Sequence, residues 1–412
     1  MPHSTSASWF MPPGVLPDAR LLLCTRALRA FGDGYVSLLL PYYLTLLGYS
    51  VLEIGAIITA TLLGSGLMTL GVGFVAHRFR QRKLLEAAAL LMIATGIAFI
   101  LTTEFWPLLL IAAVGTINPS TGDVSVFLPL EHALLVRTVG AEHRTALFAR
   151  YSLAGALIGA LGAQAAALPG LAQHWFAIDA RHAMQLMFLL YGALGLVSLC
   201  LYRRLSPQIE PHDAAPATPL GKSKRVVYAL AAVFSLDSFA GGFAVQSLLA
   251  LWLFDRFQLS IVTAATIFFW TGILSAFSQL AAARLARRIG LINTMVFTHL
   301  PANVFMILVP LMPNLPLALL FLMLRSALSS MDVPARTSYV MAVVTPGERA
   351  AAASVTAVPR SLASAVSPMM AGWLLTLSPF GWPLVICGSL KIVYDLLLLT
   401  MFRRVRPPEE SN

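Results

Sequence analysis

Residues 324–349 read LRSALSSMDVPARTSYVMAVVTPGER, directly after the apolar run Leu315–Met323. Run and stretch together are long enough to cross a bilayer as one helix. Arg325, Asp332 and Arg336 nevertheless fall inside it. At 100° per residue, their spacings place all three within an arc of about 40°, over roughly 16 Å of helix. Pro334 is expected to bend the helix here. Ionisable groups at membrane depth are costly unless they face a water-filled cavity or pair across helices. A charged stripe on a membrane helix is therefore the first sign of function.

The rest of the chain agrees with a membrane setting. Of its 412 residues, 58% are hydrophobic and 11% charged, and the mean hydropathy is +0.79. Soluble domains carry about 25% charged residues, so this composition belongs to an integral membrane protein embedded in a lipid bilayer. The formal charge of +10 invites a nucleic-acid reading. Most of the Lys and Arg, however, sit in short connections between apolar runs, as the positive-inside rule predicts, and no nucleic-acid partner is expected. Cys24, Cys200 and Cys387 lie singly in apolar runs with no ligand spacing, so no disulfide framework and no metal site are expected. The first twenty residues lack a basic segment and a cleavage site, so the first membrane helix is expected to serve as an uncleaved insertion signal.

Apolar runs of spanning length lie roughly at 20–47, 53–76, 84–104, 107–138, 144–168, 184–202, 226–254, 261–283, 293–312, 315–344, 350–377 and 380–402. Twelve runs put both termini on one side. The basic clusters, among them Arg78–Lys83, Arg203–Arg204, Lys222–Arg225, Arg284–Arg288 and Arg403–Arg406, make that side cytoplasmic. A multi-pass protein of a plasma membrane or bacterial inner membrane is expected, since no organelle signal appears.

Residues 206–221 (SPQIEPHDAAPATPLG) form a Pro- and Ala-rich linker. It divides the chain into an N-terminal bundle (1–204), a cytoplasmic linker (205–224) and a C-terminal bundle (225–412). The halves look like a repeat. Pro129-Leu-Glu131 precedes Arg144 by the same fifteen residues that separate Pro334-Ala-Arg336 from Arg349. Asp123-Val124 and Asp332-Val333 are further partners. The loop GFVAHRFRQRK is echoed by ARLARRIGLIN. Repeated halves joined by a linker are a transporter signature.

Those two loops resemble the signature of the major facilitator superfamily, Gly-x-Leu-Ala-Asp-Arg-x-Gly-Arg-Arg/Lys. Gly73, Ala76, Arg78 and Arg82 match it, while His77 stands at the usual acid. The second copy keeps Leu285, Ala286, Arg288 and Gly290, with Arg287 at the acid. The resemblance covers nearly the whole chain. It implies an all-α membrane protein of twelve transmembrane helices in two pseudo-symmetric six-helix bundles, working by alternating access. Gly73, His77, Arg78, Arg82, Arg288 and Gly290 would then form the loop gate, with the usual salt bridge in question because both acids are missing. Arg325-Ser-Ala-Leu-Ser-Ser is similar to a motif of drug exporters in this superfamily, and Gly155, Gly159 and Gly162 partly match their antiporter run. The same glycines would also serve plain helix packing.

In the superfamily's fold the first, fourth, seventh and tenth helices line a central cavity. By order these carry Arg26, Arg29 and Asp33; Asp123 and Glu131; Asp237; and Arg325, Asp332 and Arg336. The second, third, sixth, eighth and ninth show no ionisable group near their middles. A carboxyl group in a semi-dry cavity can exchange protons near neutral pH. Asp33, Asp237, Asp332, Asp123 and Glu131 are therefore candidates for proton coupling or substrate binding. Arg29, Arg150, Arg325, Arg336 and Arg360 are candidates for anion binding or ion pairs.

Asp33 precedes Gly34 and Pro41, and Asp237 precedes Gly241-Gly242, where helix irregularity would open backbone groups to a ligand. Arg26 and Arg29 lie near a helix end and are expected to snorkel. Lys391 and Asp395, one turn apart on a peripheral helix, are expected to pair with each other.

The reading that follows is a monomeric secondary transporter with a small-molecule substrate and no cofactor, exporting a drug-like or amphiphilic solute in exchange for protons. Uptake or exchange of an organic anion on the arginines is the first alternative, and a non-transporting sensor the second. No nucleophile–base pair suggests an enzyme.

Overall fold

The computed structural model describes residues 15–75, 79–120, 125–140, 143–210, 220–221, 223–345 and 348–403. A bilayer offers no water to backbone N–H and C=O groups, so an apolar chain satisfies them within helices. The N-terminal half comprises α1 (Pro17–Leu46), α2 (Val51–Val75), α3 (Gln81–Leu101), α4 (Phe105–Val114), α5 (Phe127–Leu135), α6 (Arg144–Ala165), α7 (Leu168–Phe176) and α8 (Ala180–Tyr202). The C-terminal half comprises α9 (Lys224–Gly242), α10 (Gln246–Phe257), α11 (Ile261–Ile289), α12 (Leu291–Leu308), α13 (Leu315–Leu328), α14 (Asp332–Ala342), α15 (Arg349–Leu377) and α16 (Trp382–Phe402).

Joining α4 to α5, α6 to α7, α9 to α10 and α13 to α14 gives twelve passages in two pseudo-symmetric sets of six, as expected. Nine stretches among the described residues are long and apolar enough to cross a bilayer. The other three passages are α1 and α15, diluted by charged and small polar residues, and the interrupted α4–α5. Trp106, Leu110, Leu186 and Leu320 stay exposed on the outside, where lipid replaces water.

The tenth passage is not the single helix expected from its length. It ends at Leu328 and restarts as α14 at Asp332. Pro334 occupies the first turn of α14, where backbone N–H groups have no helical acceptor, so the proline starts a helix instead of bending one. The fourth and seventh passages break at the corresponding depth, around Asn118-Pro119 and after Gly241-Gly242. By contrast, α1 runs unbroken through Gly34 and Pro41. Gly34 is used for packing: a Cβ there would stand 2.2 Å from the Gly159 carbonyl. Likewise a Cβ on Gly162 would meet the Phe31 carbonyl at 2.1 Å. The glycine run thus sets α6 against α1.

Both described ends of the linker are tied to a bundle. Glu210 accepts from the N–H groups of Gln81 and Arg82, each at 2.9 Å, capping α3 with a carboxylate at its positive end. Arg82 donates to the Leu205 carbonyl (3.0 Å) and pairs with Glu86 of its own helix (3.0 Å). At the other end Glu348 accepts from the Gly221 N–H and the Thr345 hydroxyl. Hydrogen bonds from Ser223 and then Gly221 hold the Glu348 carboxyl down at about 2.

Hydrogen bonds joining the two bundles lie on the side opposite the linker. Gln246 donates to the Ser37 hydroxyl (2.9 Å), and the Ser247 hydroxyl donates toward the carbonyls of Ser37 (2.6 Å) and Pro119 (2.9 Å). These bonds seal the far end of the central cavity.

Candidate functional site

The cavity between the bundles has a volume of about 660 Å³. Its wall includes Arg26 and Asp33 from α1, Asp237 and Ser238 from α9, Arg325 from α13 and Arg336 from α14. Arg360 from α15 and Lys391 from α16 complete the charged set.

Asp237 lies at the centre of the C-terminal wall. Arg336 donates to it through Nη1 (3.1 Å) and to Asp332 through Nη2. Lys391 donates to the other Asp237 oxygen. The pairing expected between Lys391 and Asp395 is therefore absent here. Asp395 instead accepts from His299 Nδ1 and from Asn303 Nδ2, both at 2.9 Å. The Asp237 carboxylate draws the lysine inward, so α16 contributes to the cavity despite its outer place in the bundle. His299 was passed over because α12 appeared free of ionisable groups; a histidine and an asparagine at i, i+4 within VFTHLPANVF were the available signal.

Arg325 and Arg360 differ from Arg336. Arg360 donates through Nε to the Ser238 hydroxyl (3.2 Å) and has no carboxylate within ion-pair reach among the described residues. The Arg325 guanidinium makes no hydrogen bond or ion pair to any described residue, although it faces the cavity. The break between α13 and α14 removes Arg325 from the shared rigid arc, yet both helices still present their arginines to one space.

On the N-terminal side, Glu131 is fully buried and accepts from Thr25 Oγ1 (2.8 Å), Arg29, and the hydroxyls of Tyr151 and Tyr202. Arg29 also stacks on Phe127, its guanidinium carbon 4.3 Å from the ring centre. Neither Arg26 nor Arg29 snorkels; they are 8% and 2% exposed. A buried carboxylate and stacked rings offer the guanidinium better partners than the distant interface. Asp33 faces the cavity and makes no hydrogen bond or ion pair to any described residue.

The remaining candidates are scattered. Arg150 on α6 is half-buried outside the cavity lining, with Nη1 unpaired. Asp123, His77 and Arg78 lie outside the described residues. Gly73 has open space around it, and Arg288 is exposed. Gly290, at φ +84°, starts α12 in a conformation that favours glycine. Arg82 serves α3 and the linker, so the described part of the signature loop ties its own bundle together.

The cavity wall thus brings five cationic side chains together with the two acids Asp33 and Asp237. At about 5 Å and an effective dielectric of about 20, each uncompensated cation attracts a unit negative charge by ~3 kcal/mol.

The family model of the Major Facilitator Superfamily matches residues 22–325. An uncharacterized membrane protein of Saccharomyces cerevisiae is 25% identical over 420 residues, covering 93% of this chain and 94% of that protein. Among solved structures, a bacterial homolog of the human lysosomal transporter Spinster, inward-facing and occupied, superposes with a TM-score of 0.73 at 16% identity, covering 93% of this chain and 96% of that one. The nucleoside transporter NupG superposes with a TM-score of 0.70 at 15% identity, covering 94% of this chain and 100% of that one.

Proposed function

Because this chain belongs to the Major Facilitator Superfamily and is a secondary transporter, we propose a cargo for it: a small organic solute bearing a carboxylate or phosphate, moved together with protons. The observation that carries this reading is a pair of cavity-wall arginines with no carboxylate partner among the described residues. Arg325 and Arg360 have no carboxylate to serve and stand ready for two acceptor oxygens. A drug-like cation would need an acid open to it; Asp237 and Asp332 are already engaged by Arg336 and Lys391, which leaves Asp33 alone against the unengaged arginines. Asp33 is the coupling group in this account. Its protonation removes the one unpaired negative charge among the described wall residues, so proton and anion favour each other's binding.

Residues 1–204 and 225–412 are the two bodies that rock about this site, with both termini and the linker assigned to the cytoplasm by the basic loops. A single chain encloses the cavity, so a monomer suffices. The exporter-like glycines are occupied in packing α6 on α1 and carry no argument for direction.

Reconstituted protein under an imposed pH gradient tests the proposal with labelled carboxylates, organic phosphates and organic cations. Accumulation of an anion, lost on joint Arg325→Gln and Arg360→Gln substitution, is expected. Asp33→Asn is expected to keep anion exchange and lose proton-driven accumulation. Gradient-driven movement of cations that survives loss of both arginines would return the site to its acids and restore the drug-exporter reading.

A further inference from the structure

Behind the cavity wall, α12 and α16 bury a group that the transport account leaves unused. His299 is 4% exposed, with Nδ1 2.9 Å from Asp395 and Nε2 4.0 Å from Asp237. We propose that His299 and Asp395 form a second proton-binding site, and that its occupancy decides which carboxylate Lys391 serves.

The argument begins with charge. Asp237 and Asp332 are held by Arg336 and Lys391, whereas Asp395 has no lysine or arginine in ion-pair contact among the described residues. Asp395 is fully buried, and its partners are His299 and Asn303. An ionised carboxylate so enclosed needs a positive partner, and the imidazolium is the one within reach. With both ring nitrogens protonated, Nδ1–H serves Asp395 and Nε2–H points toward Asp237. Asp395 then has a charged partner of its own, and Lys391 is free to hold Asp237 as observed.

Loss of the Nε2 proton leaves Asp395 with two neutral donors. Lys391 is one turn away from it on α16, at the i, i+4 spacing where side chains meet. The lysine then turns from Asp237 to Asp395 and withdraws from the cavity wall, while Arg336 stays on Asp237. The other groups facing the ring are Tyr394 of α16, whose ring centre is 5.8 Å away, and Arg336 and Asp332 of α14 through Asp237. From α11 and α13 no ion pair reaches His299 among the described residues. The proton therefore has one mobile cation to command. Binding it places Lys391 in the cavity; releasing it takes Lys391 out.

The test needs no substrate, so it stands or falls separately from the proposed cargo. Purified full-length protein is acetylated briefly with acetic anhydride at about pH 5.5 and about pH 8, a range that spans imidazole titration. Labelling of Lys391 is read by mass spectrometry against exposed Lys83. In the wild type the normalised labelling is expected to be about fivefold higher at the lower pH. His299→Gln fixes it at the low level at both values, because Lys391 is held by Asp395. Asp395→Asn fixes it at the high level, because the alternative partner is gone. A wild-type ratio that does not change with pH overturns the proposal. So does an unchanged pH response in either variant, and each variant serves if the other fails to fold.

Discussion

Among the described residues, each bundle buries an arginine–carboxylate pair between its first and fourth passages: Arg29 with Glu131 in one, Arg336 with Asp237 in the other. The charges have changed helices between the halves, and so has the use of the pair. Glu131 is saturated by a threonine, an arginine and two tyrosines, all buried. Asp237 faces a cavity and shares Arg336 with Asp332, while Arg325 and Arg360 remain on the same wall without an acid among the described residues. A closed network with every acceptor filled holds helices in place; a cluster with unpaired charge facing open space is available to a ligand. The same position in a repeat has become a structural tie in one half and part of a cavity wall in the other.

Breaking the closed pair should produce the largest effect. Glu131→Ala strands Arg29 in the interior, where an uncompensated charge costs ~3–5 kcal/mol. The expected outcome is loss of the monodisperse protein in detergent gel filtration, whereas Asp237→Asn should leave a folded protein that no longer transports. Equal folding of both variants would mean that the halves do not differ as described.

Removing charge from the open site should be next. Arg325→Gln is expected to weaken anion binding by about one hundredfold, the ~3 kcal/mol of one unscreened cation, with unfolding temperature nearly unchanged. A smaller loss, about tenfold in transport rate, is expected for Arg336→Lys. An ammonium cannot reach Asp237 and Asp332 with two fixed donors at once. Wild-type rates there would reduce Arg336 to a plain charge.

How much of this was legible in the sequence follows the same division. A bilayer reduces fold to a nearly one-dimensional code of apolar length and basic loops, so the twelve passages and the break after Gly241-Gly242 could be read directly. The first, fourth, seventh and tenth passages were legible as cavity walls through the resemblance, but the shares of α6, α11, α15 and α16 were not. Pairing was not. Glu131 meets Arg29 across 102 residues, and Lys391 passes over its neighbour Asp395 to reach Asp237, choices made by packing in three dimensions. Pro334 misled for a local reason: the residue that kinks a helix interior is harmless in a first turn, and sequence does not say which it occupies.

The smallest effect belongs to the linker. Glu348 holds Gly221 and Ser223 with a carboxyl that titrates at about 2. A depressed value means that its contribution is complete above the ordinary carboxylate range and disappears only as pH falls toward about 2. Proteolysis of the linker should therefore proceed at one rate from about pH 5 to about pH 8, and faster but equally flat in Glu348→Gln. A slope in the wild type across that interval would show that another group sets the anchor.

The most direct test of the central claim is the pH change inside proteoliposomes as anionic, neutral and cationic solutes are added in turn. The account predicts internal acidification with anions entering, absent in the Arg325→Gln, Arg360→Gln double variant and absent with neutral and cationic solutes. Proton movement elicited by cations alone, or an anion response that the double variant retains, would contradict it.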